Sequence, residues 1–244
     1  MTAGTRGLTV RAGATTVLDA VDLELRAGSV TALVGESGCG KSMVAAALCG
    51  LLPAGTAGSG EVTVAGRALT QHDRAWSTVR GHVVGVVPQS PITSFTPVRS
   101  LRSQLDEVIA ALGGTRSAEE LCAAAGLPAH ALPLYPHELS GGMAQRAAVA
   151  AALAGAPSVV LADEPTSALD PETAHGVLRL LRGLADDGAA VLIVTHDLRS
   201  VLATGCESLA VMRAGRILLQ GPPESVRAAA ASDHYIAAFF EEVR

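Results

Sequence analysis

The architecture of this chain follows from one stretch, Gly35-Glu36-Ser37-Gly38-Cys39-Gly40-Lys41-Ser42. The apolar run at 30–34 before it predicts a buried strand, and the run at 43–48 after it predicts a helix. In that setting a Gly-x-x-x-x-Gly-Lys-Ser pattern predicts a phosphate-binding loop. The glycines let successive backbone N–H groups point at an anion, and the helix that follows adds the positive end of its dipole. We therefore expect residues 35–42, together with Met43, to bind a nucleoside triphosphate.

The loop also carries two side chains with expected roles. The Lys41 ammonium would neutralise the β- and γ-phosphates, and the Ser42 hydroxyl would hold a Mg²⁺ ion. The alternative is a glycine-rich turn that contains Lys-Ser by chance, which the flanking strand and helix patterns disfavour.

A second candidate site is Val159-Val160-Leu161-Ala162-Asp163-Glu164-Pro165. An apolar run that ends in two carboxylates predicts a central strand that delivers acids to the carboxyl edge of a parallel sheet, where ligands bind. Asp163 is expected to hold the Mg²⁺ ion, and Glu164 to act as general base on the attacking water. The alternative is a solvated Asp-Glu turn before a proline.

A third candidate is Leu139-Ser140-Gly141-Gly142-Met143, which precedes an alanine-rich helical segment. A serine and two glycines at a helix start predict a second anion site, although the same pattern alone is more often a plain helix cap. Together with Gln89, with His196 and with Ser167-Ala168-Leu169-Asp170, these motifs have the order and the intervals of one family. Over essentially its whole length the chain resembles the ATP-binding cassette (ABC) ATPases.

The residue pattern alone predicts an α/β sheet interrupted by a helical insertion, with a turn at 58–60. The resemblance implies a P-loop NTPase core, with a RecA-like sheet, an antiparallel β subdomain and an inserted α-helical subdomain. We expect a single domain over 1–244. Its catalytic core would span about 1–90 and 156–220, its helical subdomain about 91–155, and a short C-terminal tail 221–244.

The resemblance also implies roles for the motifs. Two cassettes pair head to tail, so that residues 139–143 act on the ATP bound by the partner. Gln89 would reach the Mg²⁺ ion and the attacking water, and His196 would contact the γ-phosphate. Residues 167–170 would lie at the interface between the two cassettes. ATP and Mg²⁺ are the implied cofactors.

Amino-acid composition and charge indicate which partners and which location to expect. A net charge of −5 without any stripe of Lys and Arg argues against nucleic acid as a partner. No run approaches the roughly 18–20 apolar residues of a membrane span, and the first residues lack the apolar segment of a signal peptide. We expect a protein on the cytoplasmic face of the cell membrane, bound there through its partners. The four cysteines have no paired spacing, and Cys39 is expected to be a reactive thiolate beside Lys41.

Within the family, several phrases are similar to the ATPase subunits of dipeptide, oligopeptide and nickel importers. They are Tyr135-Pro136-His137-Glu138 before the third motif, Thr195-His196-Asp197-Leu198, and His234-Tyr235. This similarity implies a second, non-identical ATPase subunit, transmembrane permease subunits and, indirectly, a solute-binding protein. The lack of cysteines after Cys206 favours the shorter nickel- or metallophore-type members. An exporter subunit and a non-transport cassette stay open as alternatives, as do the solute and a homodimer.

One departure from the family concerns the base of the nucleotide. Cassettes usually place an aromatic ring about two dozen residues before the glycine loop, but the region around Ala12 has none. Aliphatic contacts from Val10 or Val17 would cover the adenine without stacking, and discrimination between ATP and GTP should then be poor. An aromatic residue from the partner chain is the competing explanation.

Overall fold

The computed structural model describes residues 2–167 and 169–241 of the 244. Its strands are β1 Ala3–Ala12, β2 Thr15–Leu25, β3 Ser29–Gly35, β4 Thr56–Val64, β5 Arg67–Leu69, β6 Val84–Val87, β7 Val159–Asp163, β8 Ala190–Val194, β9 Ser208–Arg213 and β10 Arg216–Gly221. Its α-helices are α1 Lys41–Leu48, α2 Trp76–Val79, α3 Pro91–Ser94, α4 Leu101–Ala111, α5 Ala118–Ala124, α6 Gly141–Ala152, α7 Pro171–Asp186, α8 Leu198–Thr204, α9 Pro223–Ala229 and α10 His234–Glu241. Short 3-10 helices occupy Ala129–Ala131 and Pro136–Glu138. No helix in this described part has both the length and the hydropathy to cross a membrane.

The larger sheet has six strands in the order β10-β9-β3-β8-β7-β6. Strands β6 to β9 and β3 are parallel, and β10 pairs antiparallel with β9. Both faces are covered, which explains why the parallel strands read as continuous apolar runs. In β8, for example, Val191 and Ile193 belong to the core on one face of the sheet, whereas Leu192 belongs to the core on the other face. The sheet delivers the ends of β3, β7 and β8 to one edge.

The smaller sheet is antiparallel, in the order β2-β1-β4-β5, and it shares a core with α1 and the larger sheet. The turn predicted at 58–60 is wrong, because these residues lie inside β4. Gly60 has φ +91°, and a Cβ atom there would lie 2.4 Å from the Gly7 carbonyl oxygen. The register between β1 and β4 shifts between Arg6 and Thr9, so the glycine serves a β-bulge rather than a turn.

The predicted helical insertion lies between β6 and β7 and contains α3 to α6. Leu101 and Leu105 of α4 are fully buried, as their helical spacing predicts. Helix α5 begins with a capping box in which Ser117 and Glu120 satisfy each other's backbone N–H groups. Together with the two sheets, this insertion confirms the expected α/β fold class.

The described part of the expected C-terminal tail contains two helices, α9 and α10. Helix α10 buries Ile236 in the same core as Val191 and Ile193. The apolar residues at 235, 236, 239 and 240 have helical spacing, which is the signal that would have predicted α10. Strand β10 was also not predicted, since its sequence is only weakly alternating.

Candidate active site

The glycine loop connects the end of β3 to the start of α1. Gly38 and Gly40 have φ +79° and +110°, a region that side chains disfavour. A Cβ atom on Gly35 would lie 2.4 Å from the Met212 carbonyl oxygen, and one on Gly40 would lie 2.7 Å from Leu18 Cδ2. These glycines are therefore required by close packing as well as by backbone conformation.

Lys41 opens α1 and is buried, with 7% exposure. Its Nζ donates to the carbonyl oxygens of Gly35 at 2.7 Å and of Glu36 at 2.9 Å. An ammonium group has three donors, so these two bonds leave one for an anion at the start of the helix. The loop thus holds a buried positive charge at the place where the motif predicts phosphates.

Asp163 ends β7 next to this loop. Ser42, the second residue of α1, lies close enough to Asp163 to lower the pKa of its carboxylate. Burial raises the pKa of Asp163, and Ser42 opposes that rise. Among the described residues, Asp163 Oδ1 is a buried oxygen with no hydrogen-bond partner. An unpaired carboxylate oxygen beside a hydroxyl is a donor set that suits Mg²⁺, which proteins bind through one or two carboxylates together with substrate phosphates.

Glu164 and His196 form a pair beyond Asp163. His196 Nδ1 lies 2.9 Å from Glu164 Oε2, and the Glu164 side chain is 13% exposed against 72% for His196. Glu164 has φ +46°, which is unusual for a residue with a Cβ, and its N–H donates to the Val194 carbonyl at 2.8 Å. The backbone of Glu164 is therefore held between the ends of β7 and β8, and its carboxylate is bonded to His196.

Most of these groups line one open cavity of about 580 Å³, although Asp163 is not among its lining residues. The lining comes from the glycine loop, the ends of β7 and β8 and the segment after β6, and it includes Val17, Ser37, Gly38, Gly40, Lys41, Ser42, Met43, Gln89, Glu164, Ser167 and His196. Gln89 is exposed, and Val17, one of the two aliphatic residues expected near the base, lines the cavity. The structure thus brings Gln89, Glu164 and His196 to the glycine loop.

Residues 139–143 do not line this cavity. Leu139 is buried, whereas Ser140 and Gly141 are exposed, and the Ser140 side chain caps α6 by accepting from the Met143 N–H at 3.2 Å. A Cβ atom on Gly142 would lie 2.4 Å from Thr173 Cγ2, so this glycine permits α6 to approach α7. The third motif is a helix N-terminus open to solvent.

Leu169 lies beside that helix start, because a Cβ atom on Gly141 would be 3.5 Å from Leu169 Cδ2. Asp170 caps α7 by accepting from the Thr173 N–H at 3.0 Å. This hydrogen bonding to Thr173 lowers the pKa of Asp170. Ala168, the fourth residue predicted here, lies outside the described residues.

The expected reactivity of Cys39 is wrong. Lys41 does lower the pKa of the thiol, but burial is the larger effect and raises it above its ordinary value. Cys39 is 7% exposed, and a Cβ atom on Gly35 would lie 2.8 Å from its sulfur. Sequence position placed the cysteine in the loop, whereas only packing shows that it points into the core.

One contact to the loop is not predicted by any motif. Tyr235 of α10 accepts a hydrogen bond from the Glu36 N–H at 3.2 Å. The two residues are 199 positions apart, so no local spacing could have revealed the contact.

Comparison with known proteins gives matches along most of the chain. A probable peptide ABC transporter ATP-binding protein from Sinorhizobium fredii is 41% identical over 218 residues, which cover 84% of this chain and 65% of that protein. The oligopeptide transport ATP-binding protein OppD of Salmonella typhimurium is 37% identical over 88% of this chain and 67% of its own length. The chain thus spans about two thirds or less of the curated relatives it matches.

Solved structures agree with the fold. A bacterial ABC transporter cassette with a dimeric structure superposes with a TM-score of 0.77 at 28% identity, over 90% of this chain and 98% of that one. The family model described as ABC transporter matches residues 18–167, which contain the glycine loop, the third motif and both carboxylates. With this match over more than half of its length, the chain belongs to the ABC transporter family of ATP-binding cassettes.

Proposed function

We propose that this chain binds ATP with Mg²⁺ and hydrolyses it to power an importer. The observation that carries the proposal is the shared cavity, where the buried Lys41 and Ser42 meet the Glu164–His196 pair. The carboxylate of Asp163 lies next to Ser42. A related cassette, 28% identical, is described in a post-hydrolysis state bound to ADP and phosphate, which supports the same chemistry here.

Each group has a role that its position supports. Residues 35–43 bind the nucleotide, and Lys41 neutralises its terminal phosphates. Ser42, Asp163 and Gln89 would hold the Mg²⁺ ion, which when bound offsets the negative charge on the phosphate oxygens. Glu164 accepts the proton of the attacking water, and His196 orients that carboxylate and contacts the γ-phosphate.

In this proposal, the third motif, residues 139–143, contacts the ATP that is bound by a second cassette. Ser140 and Gly141 are exposed at a helix N-terminus outside the chain's own cavity, which suits an anion bound by a partner. Leu169 lies next to that helix start, and residues 167–170 would form part of the interface between the cassettes. We propose a non-identical cassette as the partner, in a head-to-tail pair.

The relatives' names favour peptides as the solute. They include proteins named for peptide, oligopeptide and peptidoglycan transport, while nickel or a metal chelate stays a prediction from sequence phrases. The remaining partners would be permease subunits and, indirectly, a solute-binding protein, with no nucleic acid. The chain would work as one domain with a helical subdomain at about 91–155, on the cytoplasmic face of the membrane.

The proposal is tested by assembling the chain with its permease and candidate partner cassette in proteoliposomes. We expect low ATP hydrolysis by the chain alone, and hydrolysis coupled to oligopeptide uptake in the assembly, since each composite site needs both cassettes. An assembly that binds peptide but hydrolyses no ATP would contradict the proposal. Efflux in place of uptake would support the exporter alternative.

Among the described residues, the cavity lining contains no Phe, Trp or Tyr, and this leads to a prediction about nucleotide choice. Stacking on a ring is worth about 1–3 kcal/mol in nucleic-acid binders, and Val17 cannot supply it. Most binding energy must then come from the phosphates, which ATP and GTP share. We expect dissociation constants for MgATP and MgGTP within about tenfold of each other, and a gain in ATP preference for Ala12→Tyr. Titration of the isolated chain with both nucleotides checks this, and strong ATP preference that the tyrosine leaves unchanged would refute it.

A further inference from the structure

The hydroxyl of Tyr235 bridges the glycine loop and the neighbouring strand. Its Oη accepts from the Glu36 N–H at 3.2 Å and donates to the Met212 carbonyl oxygen at 2.9 Å. Met212 of β9 pairs with Gly35 of β3, so the bridge spans the point where the loop leaves the sheet. Burial raises the pKa of Tyr235, which keeps the hydroxyl protonated and able to donate at neutral pH.

The tyrosine ring is fixed in this position by its surroundings. The Arg213 guanidinium lies 4.6 Å from the ring centroid, and Phe239 packs edge-on with ring centroids 5.2 Å apart. Asp233 Oδ1 accepts from the Tyr235 N–H at 2.8 Å and from the Ile236 N–H at 3.3 Å, which fixes the start of α10. The hydroxyl is therefore preorganised against the loop.

Glu36 is held from both sides by side chains. The Tyr235 hydroxyl accepts a hydrogen bond from the Glu36 N–H, and Lys41 Nζ donates one to the Glu36 carbonyl oxygen at 2.9 Å. The Lys41 ammonium is also the group that would contact the phosphates of a nucleotide. If that ammonium moves toward an anion, its bond to the Glu36 carbonyl oxygen weakens. The Tyr235 hydroxyl is then the remaining side-chain group that holds Glu36.

We propose that Tyr235 is a positioning residue for the glycine loop, whose hydroxyl holds Glu36 in the binding-competent conformation while Lys41 engages the phosphates. Without the hydroxyl, the loop samples conformations that do not bind. The apparent affinity for the nucleotide then falls in proportion to the competent fraction. The inference rests on the proposed function only in taking MgATP as the ligand.

The test is Tyr235→Phe, which removes one oxygen and keeps the ring. Loss of this bond should raise the dissociation constant for MgATP, and KM in the assembled transporter, by about three- to tenfold. The value of kcat should stay within about twofold, because Tyr235 does not touch the reacting atoms. Hydrogen exchange at the Glu36 amide should quicken in the chain without nucleotide.

The matched control is Phe239→Leu, which loosens the packing around Tyr235 but keeps its hydroxyl. We expect it to lower Tm and leave the dissociation constant for MgATP close to that of the unchanged chain. If Phe239→Leu weakens MgATP binding as much as Tyr235→Phe, the packing of α10 sets the loop and the proposal is overturned.

A merely structural role for Tyr235 has its own signature. The Tyr235→Phe variant would then lose Tm and active fraction, while KM and the Glu36 exchange rate of the folded protein stay unchanged. That result overturns the proposal. If the chain without substitutions binds no MgATP, the proposed function is refuted instead. The rate of hydrogen exchange at the Glu36 amide then still decides whether Tyr235 restrains the loop.

Discussion

Replacing Glu164 by glutamine is expected to lower kcat for ATP hydrolysis by at least about 100-fold and to leave MgATP binding nearly unchanged. The amide has the shape of the carboxylate and can still bond to His196 Nδ1, which lies 2.9 Å from Glu164 Oε2. It cannot accept the proton of the attacking water. Turnover in the assembled transporter, measured together with the dissociation constant for MgATP, separates the two effects.

The glutamine variant should also retain ATP and favour the closed pair of cassettes, because the nucleotide that joins them is no longer removed. A suitable control is Glu61→Gln, since Glu61 is an exposed carboxylate on β4 and should tolerate the same change. Near-normal hydrolysis by the Glu164 variant would show that another group accepts the proton.

Local sequence predicts the positions of these residues in the fold because they belong to short segments at strand ends. An apolar run followed by glycines or carboxylates predicts both a parallel strand and the edge to which it delivers them. The loop at 35–42, Asp163, Glu164 and His196 are all of this kind, and each lies where its strand ends. The closeness of Ser42 to Asp163 then follows, because β3 and β7 end at the same edge of the sheet.

The features that sequence did not reveal depend on contacts between distant residues. Burial of Cys39 results from packing inside the loop, so the favourable charge of Lys41 could not by itself indicate the pKa of the thiol. The glycine at 60 is explained by the approach of Gly7 from another strand. Tyr235 reaches the loop only because α10 folds back on the end of β9.

Replacing Lys41 by alanine is expected to raise the dissociation constant for MgATP by about 10- to 150-fold, because a hydrogen bond from a charged donor to phosphate is worth about 1.5–3 kcal/mol. The variant also leaves the Gly35 and Glu36 carbonyl oxygens without the ammonium that now holds them. Lys41→Met is the matched variant, since it keeps an apolar stem of similar length. Both variants should lose affinity alike if the charge is the cause. Titration with MgATP, with Tm measured in the absence of nucleotide, checks this.

Lys41 is the only lysine in the sequence, which allows a direct test of its position. An amine-directed reagent can label only this side chain and the N-terminal amine, so protection by MgATP reports contact at one known site. Glu164→Gln should be protected fully, because it is expected to bind ATP without hydrolysing it, whereas adenosine, which lacks the phosphates, should protect poorly. Labelling of Lys41 that MgATP does not change, or MgATP affinity that survives Lys41→Ala, would place the phosphates elsewhere. Loss of turnover with unchanged affinity would instead assign Lys41 to the transition state alone.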